Sequence, residues 1–190
     1  DRLEGSKQYH IPAVLRLKGK INIEALTKAL VEIVDRHEVL RTVIREDDEM
    51  FFQHILKEGG WKLKNVDGSK YKNDPDKLKK YIQKLIDVPF DLTKDYMMRG
   101  HLISIEEDEH ILVLTMHHIV SDGWSRTILI REVVELYSSY SENRPSNLFP
   151  LEIQFSDYAI WQRDYLKGEV LEKKLNYWKD KLDDVSPLQI

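Results

Sequence analysis

The sequence predicts an α/β fold, a mixed-sheet α/β sandwich. Three observations lead there. Segments of period two recur among segments of period 3.6, and the two kinds do not alternate strictly, so a purely parallel sheet is not expected. Residues 111–117 form a run apolar on both faces, which belongs in the middle of a sheet. Helix starts carry recognisable caps, as at Asp74-Pro75, a capping aspartate followed by proline at the first helical position.

The elements follow in order. Residues 11–18 alternate, with Ile11, Ala13, Leu15 and Leu17 set against Arg16 and Lys18, until Gly19 ends the strand. Asn22 is an N-cap for a helix reaching about His37, with Ile23, Leu26, Leu30, Ile33 and Val34 at helical spacing. Residues 40–45, 51–56 and 61–66 read as strands, and Gly59-Gly60 as a turn. The helix opened by Asp74-Pro75 shows Leu78, Tyr81, Ile82, Leu85 and Ile86 on one face and stops at Pro89. Residues 100–105 and 111–117 pair across the acidic turn Glu106-Glu107-Asp108-Glu109. Helices are expected over 124–140, 153–166 and 170–182, where Tyr158, Trp161, Tyr165, Tyr177 and Trp178 are read as packing residues.

Composition narrows the function. The 190 residues suit one domain or one lobe of a larger one, and 42% hydrophobic content is enough for a core. A formal charge of -4 argues against nucleic acid. The chain has no cysteine, which removes disulfides, thiolate metal sites and cysteine nucleophiles and fits a reducing, cytoplasmic setting. No apolar run has the length of a membrane span, and no signal peptide opens the sequence. With a start at Asp1 and Leu3-Glu4-Gly5 reading as mid-sequence, the chain is expected to be a piece of a longer polypeptide.

The chemistry concentrates at His117 and His118, the one adjacent pair among seven histidines. They end an apolar strand and precede a loop, where sites on sheets are built. Strand neighbours point to opposite faces. The pair is therefore a poor metal site with Asp122. One ring should face a cavity, where imidazole can act as a general base or orient an amine. The other should be buried. The alternative is two core histidines satisfied by backbone. Asp122 reads either as a helix N-cap or as the carboxylate of an ion pair with an arginine. Gly123 is a turn glycine that would let substrate approach. Arg36-His37-Glu38-Val39-Leu40-Arg41-Thr42 is the second polar cluster. Arg36 and His37 either serve the end of a helix or supply, with Arg41, the arginine for Asp122.

His117-His118-x-x-x-Asp122-Gly123-Trp124-Ser125 is one of several ordered blocks through which the chain resembles condensation domains of nonribosomal peptide synthetases. The others are Tyr9-His10-Ile11-Pro12 with Leu15-x-Leu17-x-Gly19, Arg36-His37-Glu38-x-Leu40-Arg41-Thr42, Pro89-Phe90-Asp91-Leu92 with Arg99, Ser156-Asp157-Tyr158-Ala159-x-Trp161-Gln162, and Tyr177-Trp178-x-x-x-Leu182. Tyr96-Met97 and Ile44 depart from the family pattern and read as packing changes. The family's first motif and second half find no match, so residues 1–190 resemble the N-terminal lobe alone, of the chloramphenicol-acetyltransferase-like type.

The resemblance implies amide synthesis between a carrier-bound acyl or peptidyl thioester donor and a carrier-bound aminoacyl acceptor, in a tunnel between two lobes. His118 matches the catalytic histidine; His117, Asp122, Gly123, Arg36 and Arg41 would shape the site. No metal or cofactor would be held directly, the phosphopantetheine arms belonging to the carriers. Implied partners are donor and acceptor peptidyl carrier domains, the C-terminal lobe and an adjacent adenylation domain. This piece alone should be inactive. Epimerization, starter acylation, a freestanding coenzyme A acyltransferase and a non-catalytic interaction domain are the alternatives. Trp124-Ser125-Arg126 after the glycine is closer to condensation of an L donor with an L acceptor than to epimerization, and an interaction domain would be expected to have lost the second histidine.

Overall fold

In the computed structural model, residues 7–185 are described; the segment Leu3-Glu4-Gly5 lies outside them. The chain divides into two compact units, Asp1–Glu152 and Ile153–Ile190.

The first unit is built on a four-stranded mixed sheet. Its strands are β1 (His10–Lys18), β4 (Lys64–Asp67), β5 (Met98–Glu106) and β6 (Glu109–His117), in the order β1-β6-β5-β4. β6 is antiparallel to both neighbours, and β4 runs parallel to β5. The doubly apolar run is therefore central, as its composition requires. A separate hairpin joins β2 (Thr42–Asp47) to β3 (Met50–Ile55).

Helices cover both faces of the four-stranded sheet. On one side lie α1 (Ile23–Arg36) and α3 (Gly123–Ser141), whose Leu26, Leu30, Ile33 and Leu136 pack on Leu102, Leu112 and Met116. On the other lies α2 (Pro75–Ile86), whose Leu78 packs on Ile103, Ile105, Ile111 and Val113. Alternation along β6 thus feeds two cores, with Leu112 and Met116 on one side and Ile111 and Val113 on the other. The expected caps are in place: Asn22 Oδ1 accepts from Ala25 N at 3.0 Å, and Asp74 Oδ1 from Lys77 N at 2.9 Å.

Two readings need correction. Residues 38–41 form a 3-10 turn before the strand that begins at Thr42, because Thr42 Oγ1 and Leu40 N bond back to the Glu38 and His37 carbonyls. Of 61–66, only the end joins the ladder. Trp61 and Leu63 are buried as their alternation suggests, but Trp61 is held by its side chain, Nε1 donating to the Met98 carbonyl at 2.6 Å. Leu15, in the apolar row of the edge strand β1, is 50% exposed.

The second unit holds α4 (Phe155–Tyr165) and α5 (Gly168–Leu182). Its aromatic residues do not enter a core. They pack on one another, with Trp161 and Tyr165 stacked at 5.2 Å and Tyr177 edge-on to Trp178 at 5.3 Å. Among the described residues no helix is long and apolar enough to cross a membrane.

Candidate active site

The strand β6 ends at His117, and His118 is the first residue of the turn that follows, before α3 starts at Gly123. The two histidines part as strand geometry predicts. His118 is exposed, and its N–H donates to the Tyr9 carbonyl at 2.8 Å, so the residue just before β1 holds its backbone. His117 is half-buried within an aromatic cage. Its ring lies 6.0 Å from Tyr9, 5.7 Å from Phe90 and 6.4 Å from His10, its register partner on β1. Its Nδ1 accepts the Ile119 N–H at 3.1 Å. A nitrogen that accepts carries no proton, so the ring is neutral with hydrogen on Nε2. Burial first, then the neighbouring His10 and His118, hold His117 below the ordinary imidazole range.

Asp122 is the N-cap of α3. Its Oδ1 accepts from Ser125 N at 2.8 Å and Ser125 Oγ at 2.6 Å, while its own N–H donates to Ser125 Oγ at 2.7 Å. These bonds hold the carboxyl below the usual carboxylate range. Gly123 follows as the first helical residue, with open space where a Cβ would point.

The expected ion pair between Asp122 and Arg36 or Arg41 is not formed. Arg36 does reach α3, but its Nε meets Glu132 Oε2 at 3.2 Å, and His37 Nε2 meets the same oxygen at 2.6 Å. Glu132 is only 4% exposed, a buried carboxylate absent from the expectations drawn on sequence. Arg41, 6% exposed, turns the other way. It donates to the Leu56 carbonyl at 2.6 Å and the Asp35 carbonyl at 3.2 Å, and approaches Glu58 at 3.3 Å. The arginine cluster thus joins α1 to α3 and to the segment that follows β3, and does not touch the cap of α3. Asp122 lies close enough in sequence to the histidines to invite the ion-pair reading; no local signal distinguishes Glu132 from a solvated glutamate.

Sequence reasoning also misses the makers of the His117 cage, Tyr9, His10 and Phe90, although all three stand within the family-like blocks. Met97, by contrast, is buried and Tyr96 packs on the α1 side of the core, as expected of packing changes.

This arrangement presents one accessible imidazole from a braced turn. Comparison with known proteins gives it a context. Residues 2–190 match the condensation domain family model. Malpibaldin synthetase of Mortierella alpina is 44% identical over 193 residues, covering 100% of this chain and 3% of the relative. Enniatin synthetase of Fusarium oxysporum is 38% identical over 189 residues, covering 98% of this chain and 6% of the relative. Among solved structures, the X-domain in its complex with OxyB from teicoplanin biosynthesis is 29% identical with a TM-score of 0.86, over 98% of this chain and 41% of that one. The starter condensation domain of rhizomide synthetase RzmA, at 18% identity, shares the fold with a TM-score of 0.83, over 95% of this chain and 44% of that one. The chain therefore spans a few per cent of these curated relatives and less than half of these solved chains, and over that span it belongs to the condensation domain family of nonribosomal peptide synthetases.

Proposed function

We propose that this chain supplies the histidine-bearing half of an acyl-transfer site that joins a carrier-bound acyl or peptidyl thioester to the α-amine of a carrier-bound aminoacyl group. The observation that carries the reading is the exposure of His118 in a turn fixed at both ends, by Tyr9 on one side and by His117 on the other. The amine nitrogen forms a bond to the acyl carbon, the carbon–sulfur bond breaks, and the thiol leaves on its carrier arm. The amine must lose a proton in this exchange; a positioned neutral imidazole takes it and returns it to the departing sulfur, which leaves as the thiol. His117, Asp122 and Gly123 shape the turn; Arg36 acts at a distance, through Glu132, on the body of α3. The partners of this reading are donor and acceptor carrier domains with their phosphopantetheine arms, a neighbouring adenylation domain, and the second lobe that completes the tunnel.

Its test is single-turnover peptide formation with two loaded carrier domains. In the intact domain, His118→Ala should lower the rate about 100- to 10,000-fold with folding and carrier binding retained. His117→Ala should lower the melting temperature first. The 190-residue chain alone should give no product, because positioning between two lobes supplies much of the rate. Near-normal turnover of His118→Ala would refute the reading. Likeness to an X-domain solved with OxyB favours a second one, a module that binds a partner enzyme. An intact wild-type domain that binds both carriers yet forms no peptide would decide for it.

A further inference from the structure

The block Pro89-Phe90-Asp91-Leu92 with Arg99 has no part in the proton transfer just described, yet it lies against the site. Arg99, on β5, lays its guanidinium 3.8 Å from the centre of the Phe90 ring. The same group donates from Nη1 to the Pro89 carbonyl at 3.3 Å and from Nη2 to the Val88 carbonyl. One side chain therefore fixes both the backbone and the ring of the segment that follows α2. Phe90 is buried, and its ring meets two imidazoles nearly at right angles: His117 at 5.7 Å and 76°, His10 at 5.2 Å and 86°. His10 is itself anchored, Nδ1 bonding the Ile86 carbonyl at the end of α2 at 2.7 Å. The orientation so imposed on His117 aims its Nδ1 at the Ile119 N–H. That bond spans His118, which lies between its two ends in the chain.

We propose that Phe90 and Arg99 are positioning residues for His118, acting through His117. Arg99 holds Phe90, Phe90 holds the His117 ring, and His117 holds the turn that presents His118. The proposal rests on the reading of His118 as the base. Leucine at position 90 keeps an apolar side chain but offers no flat face to either neighbour. The His117 ring then loses its fixed orientation, and the Ile119 amide loses its acceptor. Arg99→Met removes both donors to the carbonyls and the cation over the ring, and reaches the same end from the other side.

The test pairs a structural readout on this chain with a kinetic one on the intact domain. Nitrogen-15 NMR should find His117 in wild type with its proton on Nε2 and the Ile119 amide protected from exchange. Phe90→Leu and Arg99→Met should each lower that protection about tenfold or more and disturb the His117 nitrogen shifts. In the intact domain both should reduce the single-turnover rate at saturating acceptor by about 10- to 100-fold, with KM for the acceptor carrier unchanged. Phe90→Tyr, which restores the ring, should recover the rate and the protection; a merely structural role would not split the effect this way. If Phe90→Leu does not fold, Arg99→Lys, which keeps a cation over the ring but cannot reach both carbonyls, should show a smaller loss in the same direction. A folded Phe90→Leu or Arg99→Lys with wild-type Ile119 protection and turnover overturns the proposal. If His118→Ala also keeps its turnover, the reading of His118 as base falls with it. If His118→Ala loses turnover and the Phe90 and Arg99 variants do not, only this proposal falls.

Discussion

Removing the carboxylate of Glu132 should be among the most damaging single changes in the first unit. Glu132 is 4% exposed and is approached by two groups from the end of α1, Arg36 at 3.2 Å and His37 at 2.6 Å. Glu132→Ala takes this carboxylate away from both. Removing one partner of a buried ion pair costs about 3–5 kcal/mol, and the partial exposure of Arg36 and His37 places this case at the lower end, about 3 kcal/mol. In a chain of this size each kcal/mol moves the melting temperature by about 2–4 °C, so the fall should be about 6–12 °C. Melting followed by circular dichroism at 222 nm measures it. Glu132→Gln, which keeps an acceptor oxygen in place, should fall less. The double variant Arg36→Met, Glu132→Leu should lose less than the sum of its single changes, since the two residues share one interaction. Asp122→Ala, whose carboxylate is bonded to Ser125, should move the midpoint less than Glu132→Ala does. A Glu132→Ala midpoint within about 1 °C of wild type, or a fall smaller than that caused by Asp122→Ala, would refute the assignment of Glu132 as the partner that ties α3 to α1.

Gly100→Ala should destabilise the sheet by about 1–3 kcal/mol. Its Cβ would lie 2.9 Å from two carbons of the Trp61 ring, which is pinned by the bond from Nε1 to Met98; thermal melts measure the loss, and an unchanged midpoint would show that the ring can yield. Glu135 gives an acid limb. Bonds from Arg144, Asn147 and Ser139 lower its carboxyl from 4.5 to about 2, so its contribution is whole above the unfolded value near 4.5 and disappears as pH falls through about 2. Arg144→Met should flatten the stability profile between those limits, as read from urea midpoints at successive pH values; a profile that keeps its slope would rule out Glu135 as a source.

The parts of this fold that can be read from the sequence are those in which a residue's role is settled within a few positions. Asn22 and Asp74 cap helices through residues three away, and both caps are legible there. The apolar run of β6 announces burial on two faces without knowing its neighbours. That His117 and His118 part, one half-buried and the other exposed, is expected from strand alternation. What is not legible depends on distant chain. Glu132 and its partners Arg36 and His37 are separated by some ninety residues, and a glutamate on a helix looks the same whether it meets water or an arginine. Arg41 is satisfied largely by backbone carbonyls, which no pattern of side chains reveals. The cage around His117 draws on the start of β1 and the segment after α2, brought together only when His10 and His117 come into register. Asp122 shows both sides at once. Its cap is a local signal and forms; its ion pair, expected because a second polar motif stands in need of a partner, depends on distant chain and does not.

The outer row of β1 has a consequence for the behaviour of this sheet. Among the described residues, the nine of His10–Lys18 pair with β6 and with no other strand, and Val14 and Leu15 are exposed along them. A long, flat, apolar border of this kind is a template on which a foreign strand can add. The sequence blunts it in two ways. Pro12 has no N–H to offer such a strand, and Arg16 and Lys18 place cations on the far half, where an incoming copy would bring its own. Arg16 is at the same time tethered to Glu109 on β6 at 3.1 Å. Arg16 and Lys18, the polar half of the alternation by which this strand is recognised, thus also keep its border from recruiting another.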